Sequence, residues 1–306
     1  MSGGCSDQAV SVAEPAPGPR PAFAIADVLQ QLGLEVLPGP VPTYFSPGSR
    51  ERAEDLQARL RPAVDFWNDR MKLDLPITLA VLNPTHWAAI LPSPYGIPGN
   101  NEPEFLVIVP SEPDKAVVTQ LYHAAQVALP EGAAADLARL GITYEDAVLL
   151  GLDLIGLFHE TGHVYNAALG YGRGETRHWF REFLATYTAY TYLQVAQPSS
   201  IVVWNALSEA VVEFVEQPPI SRSLDFLPFS PLGLTPAGYG WFQSHFNLRA
   251  DVVVRQRPRA TWFPQLAAAG LDHGTLAIPT SELLHRLEGF NPGFTAWADA
   301  VGFEYQ

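Results

Sequence analysis

Gly151-Leu152-Asp153-Leu154-Ile155-Gly156-Leu157-Phe158-His159-Glu160-Thr161-Gly162-His163 is the stretch on which the fold turns. Together with its flanks, Ala147 to Leu169, it carries apolar residues almost all the way round a helical wheel, which predicts a central, buried helix. A buried helix that displays two histidines and a glutamate needs a reason to do so, because unpaired polar groups are costly away from water. His159 and His163 are four apart, so both imidazoles share one face and can reach a single ion. Glu160 is rotated off that face, where it can reach a water beside the ion without ligating it.

This is the H-E-x-x-H arrangement, whose mechanics are those of a zinc hydrolase. Chance supplies the pattern in roughly one chain of this size per hundred, so a third ligand is the proper test. Glu182 meets it. Gly170, Gly172 and Gly174 end the first helix, and a second is expected from about Thr176 through Trp179, Phe180, Phe183, Leu184, Tyr187 and Tyr190. If the two helices pack antiparallel, His163 and Glu182 each lie on the order of 10–12 Å from the turn and return to the same depth. His178, one helical turn before Glu182, is the rival ligand. It falls about 5–6 Å nearer the loop and is expected to line the cleft instead.

The rest of the chain supplies the frame. Its 306 residues are 47% hydrophobic and only 16% charged, which allows a real core and excludes a charge-swollen disordered chain. A net charge of -14 with no basic cluster argues against nucleic acid as a partner. No apolar run is long enough for a transmembrane segment. The single cysteine, Cys5, excludes a disulfide framework and any multi-cysteine zinc site.

The first residues lack the basic and apolar regions of a signal peptide, so a cytoplasmic location is expected. Cys5, followed by a Pro/Ala-rich stretch to Pro21, also resembles the start of a mature bacterial lipoprotein, an alternative that needs a true start further upstream. Residues 1–22 read as a flexible tail. A helix follows Ser46-Pro47-Gly48-Ser49, with Leu56, Leu60, Val64 and Trp67 on one face. Strands are expected over Ile77 to Leu82 and Phe105 to Val109, separated by a long Pro/Gly-rich loop. Residues 199–306 are expected to be mainly helical, with breaks at Pro218-Pro219 and around Pro228 to Pro236. The fold class is therefore α+β, with a core over 23–198 and a helical C-terminal subdomain.

At this point the sequence resembles the gluzincin clan of metallopeptidases. Eighteen residues separate His163 from Glu182, and H-E-x-x-H-x18-E is the spacing of the M1 aminopeptidases and their relatives. Glu182-Phe183-Leu184-Ala185-Thr186-Tyr187 resembles the E-G-F-A-x-Y run of those enzymes. The metzincin pattern fails, because its third histidine would fall at Leu169. The resemblance implies a zincin-like core: a small mixed sheet with an edge strand along the cleft, here Phe105 to Val109, followed by the two ligand helices. Peptide or protein substrates would pair with that edge.

Gly99-Asn100-Asn101-Glu102 is the nearest counterpart of the amine-gripping G-x-M-E-N motif, and it does not match, so aminopeptidase specificity is not expected. The resemblance also implies an oxyanion donor well downstream. Tyr239 and His245 both qualify. The expected chemistry is peptide hydrolysis, with zinc on His159, His163 and Glu182, and Glu160 moving the proton. A zincin that binds peptides or proteins without cleaving them is the alternative.

Overall fold

The computed structural model describes residues 25–113, 129–172, 176–214, 221–226, 236–257, 263–271 and 274–306. The expected tail over 1–22 and both proline-rich breaks lie outside or largely outside them.

A helix α1 (Ile25–Gln31) leads into strands β1 (Glu35–Leu37) and β2 (Thr43–Phe45), then α2 (Arg50–Met71) and β3 (Thr78–Leu82). The loop expected after β3 contains a short helix, α3 (Pro84–Ile90), with Asn83 as its cap accepting from the His86 N–H. β4 (Gly99–Asn101) and β5 (Leu106–Pro110) complete a mixed five-stranded sheet in the order β1-β2-β3-β5-β4. β3 pairs parallel with β2 and β5, whereas β1 and β4 run antiparallel at the two edges.

Thr-Leu-Ala-Val-Leu and Leu-Val-Ile-Val-Pro form the inner parallel strands because both their faces are covered. Leu79, Val81, Val107 and Val109 face the main core, while Ala80, Leu82, Leu106 and Ile108 pack with Leu29 and Trp87 on the other side. The edge-strand expectation is corrected here. Phe105–Val109 corresponds to an interior strand, and the true edge is the short Gly99–Asn101, paired Gly99↔Ile108, Asn100↔Val107 and Asn101↔Leu106. So polar a strand offered no period-two apolar signal to detect.

The helical layer holds α4 (Glu131–Leu140), α5 (Tyr144–Leu154), α6 (Glu160–Ala168), α7 (His178–Ala196), α8 (Pro198–Phe214) and α9 (Pro236–Gln256). Three short helices follow: α10 (Phe263–Ala268), α11 (Thr280–Glu288) and α12 (Phe294–Val301). α2 buries Ala53, Leu56, Leu60, Val64 and Trp67, the face predicted from spacing. One apolar cluster runs from this face through α7 and α8 to Phe294 and Phe303, so the core is continuous across residues 198 and 199. No helix among the described residues is long and apolar enough to cross a membrane.

α5 and α6 are joined without a break by a π-helical turn, Ile155–His159, in which the Glu160 N–H reaches back to the Ile155 carbonyl. Such wide turns add one residue to a helix and cluster at functional sites. Gly156 lets this turn lie against β5, since a Cβ there would sit 2.7 Å from Val109 Cγ1. Gly162 does the same for α6 against α7. A Cβ on it would meet the Ala185 carbonyl oxygen at 2.5 Å.

Candidate metal centre

The two histidines emerge from the end of the π turn and the first turn of α6, and Glu182 from the second turn of α7. Antiparallel packing at the Gly162–Ala185 contact brings them to one depth, as the chain spacing predicts. His159 Nε2 and His163 Nε2 lie 3.1 Å apart, and Glu182 Oε2 lies 3.3 Å from each. The imidazole planes are nearly perpendicular, at 89°. All three residues are almost wholly buried: 3%, 3% and 2% exposed.

Three donors spaced this closely fit a metal well. Tetrahedral coordination at about 2.0–2.1 Å separates neighbouring donors by about 3.3–3.4 Å, close to all three edges of this triangle. The chemistry of the donors agrees. Thr186 Oγ1 lies 3.1 Å from His159 Nδ1, and with Nδ1–H donating there the Nε2 lone pair faces inward. Burial pushes the His163 imidazole down to about 3, so it is neutral and able to ligate. Its Nδ1 has no hydrogen-bond partner among the described residues.

Burial opposes ionisation of Glu182, but His163, His159 and His178 together hold its carboxyl well below the usual carboxylate range. The carboxylate is also gripped from outside. Oε1 accepts from Arg181 Nη2 at 3.1 Å, and Oε2 accepts from the Tyr239 hydroxyl at 2.7 Å and from Gln243 Nε2 at 2.8 Å. Arg181 in turn donates to Glu102 Oε1 at 3.1 Å, tying α7 to the segment just after β4.

Glu160 faces the same cavity of about 350 Å³. Burial pushes its carboxyl up to about 7, against the opposing pull of His159 and of a hydrogen bond from Asn100. That bond, Asn100 Nδ2 to Glu160 Oε2, is 2.6 Å long and comes from the edge strand. Leu91, Ile97, Pro98, Ile155 and Trp204 add apolar surface to the lining of the cavity.

The structure thus brings together His159, Glu160, His163, Glu182, Tyr239 and His178. His178 lines the cavity with Nε2 3.7 Å from Glu182 Oε1, on the far side of that carboxylate from the two histidines. Burial and the neighbouring Glu182 raise the Tyr239 phenol well above its ordinary value, so it stays a proton donor.

His245 is the correction. It lies in a second cavity with Arg222, Trp241 and Trp297, its ring 4.4 Å from that of Trp241. On α9, Tyr239, Gln243 and Asn247 repeat every four residues and face the first cavity. His245 sits two residues past Gln243, about 200° round the helix, and so points away.

Asn100, Arg181, Thr186 and Gln243 were not foreseen as site residues. Two had a usable signal, since Thr186 is four residues after Glu182 and Gln243 four after Tyr239. The chain matches no protein-family model, no curated protein and no solved structure.

Proposed function

We infer that this chain is a zinc-dependent peptidase of the gluzincin kind, built on a zincin-like core. The carrying observation is the buried His159–His163–Glu182 triangle with Glu160 beside it, on a cavity bordered by a sheet edge. Zinc suits two imidazoles and a carboxylate, and when bound it would polarise a carbonyl and make a water acidic.

The chain's own groups have defined tasks in this reading. Glu160 takes a proton from the attacking water and returns it to the leaving amine; a carboxyl near 7 can do both at neutral pH. Asn100 holds Oε2 of that carboxylate, which leaves Oε1 to face the water. Tyr239, kept protonated, is available as a donor to the oxyanion once its hydrogen bond to Glu182 is exchanged. An extended peptide along Gly99–Asn101 would add a strand to the sheet and pass in front of Glu160. The apolar part of the lining fits a hydrophobic side chain next to the scissile bond.

Metal analysis and a digest of a proteome-derived peptide library test this together. The purified protein should carry about one zinc per chain, and His163→Ala should remove it. Glu160→Gln should keep the metal but lose about 10²–10⁴ of the cleavage rate. Cleavage that survives Glu160→Gln, or a protein that takes up no metal, overturns the reading.

A further inference from the structure

The terminal amide of Gln243 reaches further into the donor cluster than a supporting hydrogen bond requires. Its Nε2 lies 2.8 Å from Glu182 Oε2 and 3.5 Å from His159 Nε2. Those separations bracket the roughly 3.3–3.4 Å expected between neighbouring corners of a tetrahedral site. Five edges of a four-cornered figure are thus in place: three among His159, His163 and Glu182, and two from Gln243. Gln243 is fixed there by α9, one helical turn from Tyr239, whose hydroxyl accepts from Nε2 at 2.9 Å.

We propose that Gln243 is a fourth, displaceable ligand of the metal, binding through its amide oxygen. The proposal rests on the metal reading given above. Nitrogen and oxygen of a side-chain amide exchange places by a simple rotation, and hydrogen bonding decides which one points inward. Toward a carboxylate alone, the N–H₂ end turns in. Toward a cation the preference reverses, because the amide oxygen has lone pairs to give and the nitrogen does not.

The result is a neutral, weakly held ligand at the corner that a catalytic site keeps for water or substrate. It is also the same functional group as the scissile bond, an amide carbonyl. Gln243 therefore competes with substrate as its chemical mimic, and substrate enters by taking its place. A glutamine bound nine-tenths of the time weakens any competing ligand about tenfold.

Cobalt-loaded protein tests this without any assay of turnover, since the visible spectrum of Co²⁺ responds to exchange at an open corner. Azide is the probe. Gln243→Leu should bind azide about tenfold more tightly than wild type. Gln243→Glu, whose anionic oxygen cannot easily be displaced, should abolish the azide response and raise Co²⁺ affinity.

Equal azide affinity in wild type and Gln243→Leu overturns the proposal, because a mere hydrogen-bond donor would lower Co²⁺ affinity without blocking a corner. If Gln243→Leu does not fold, the glutamate variant decides alone, and an azide response like that of wild type counts against the proposal. Failure of wild type to take up one Co²⁺ per chain, or equal uptake by His163→Ala, sinks the metal reading itself and is distinguishable from either result.

Discussion

Gly162→Ala places one methyl group at the tightest helix contact in the site. The added Cβ would lie 2.5 Å from the Ala185 carbonyl oxygen and 3.1 Å from its carbonyl carbon and Cα. Those partners are backbone, so no side chain can turn aside. Carbon prefers neighbours at about 3.5–4.0 Å, and α6 and α7 must separate by at least about half an ångström to accept the change. Overpacking of this kind costs about 1–3 kcal/mol, while alanine recovers up to about 1 kcal/mol over glycine in a helix. The net expectation is a loss of about 1–2 kcal/mol.

The same separation pulls His163, next to Gly162, away from Glu182, three residues before Ala185. Metal affinity should therefore fall by at least about tenfold, the scale on which perturbed supporting contacts act. Denaturant unfolding in the presence of a chelator reads the first effect, and competition titration with a chromophoric chelator the second. Gly132→Ala is the control. That residue lies in exposed helix with nothing within 4 Å of the added Cβ, and the change should stabilise by about 0.4–1 kcal/mol. A Gly162→Ala protein as stable as wild type, with unchanged metal affinity, would refute the packing argument.

Three further outcomes are expected. Asn100→Ala removes a hydrogen bond that lowers the Glu160 pKa, so the acid limb of a kcat–pH profile should move to higher pH, and an unmoved limb would deny Asn100 that part. Burial depresses the His245 imidazole from 6.5 to about 4, so the folded state holds it neutral while the unfolded chain takes up a proton below about 6.5. Its contribution is present above that pH and is lost as pH falls toward 4. His245→Phe, which keeps the ring among Trp241 and Phe303, should therefore lose about 3 kcal/mol less than wild type over that interval in urea melts. Asp153→Ala breaks the carboxylate that Arg52 and Arg59 of α2 share, and should cost about 2 kcal/mol by chemical denaturation.

What the sequence disclosed was whatever repeats with a simple period or a fixed gap. The face of α2 and the inner strands follow from apolar spacing, and the clustering of His159, His163 and Glu182 from a five-residue motif and a depth count. The edge strand escaped because Gly-Asn-Asn carries no apolar alternation; its place is set by pairing with Leu106–Ile108. Asn100 reaches the site through a contact 60 residues long in sequence, which no local pattern records, while Arg181, next to Glu182 in the chain, is anchored from Glu102 across 79 residues. His245 was misplaced for a different reason. The resemblance implies an oxyanion donor downstream but not the helical phase at which it sits, and two residues past Gln243 the helix has turned His245 to the opposite side.

The π turn makes the position of the two histidines a matter of angular phase. One surplus residue between Leu154 and Glu160 rotates everything downstream by about 100° relative to an unbroken α-helix. Upstream of it, Asp153 is locked to α2; at its end and just beyond, His159 and His163 meet Glu182. Deleting any one residue of Ile155–Phe158 would restore a regular helix, yet the two ends could no longer both engage. Either the clamp on α2 or the His159–His163–Glu182 cluster would have to give way. The helix thus behaves as a shaft keyed at both ends, intolerant of a change in its count.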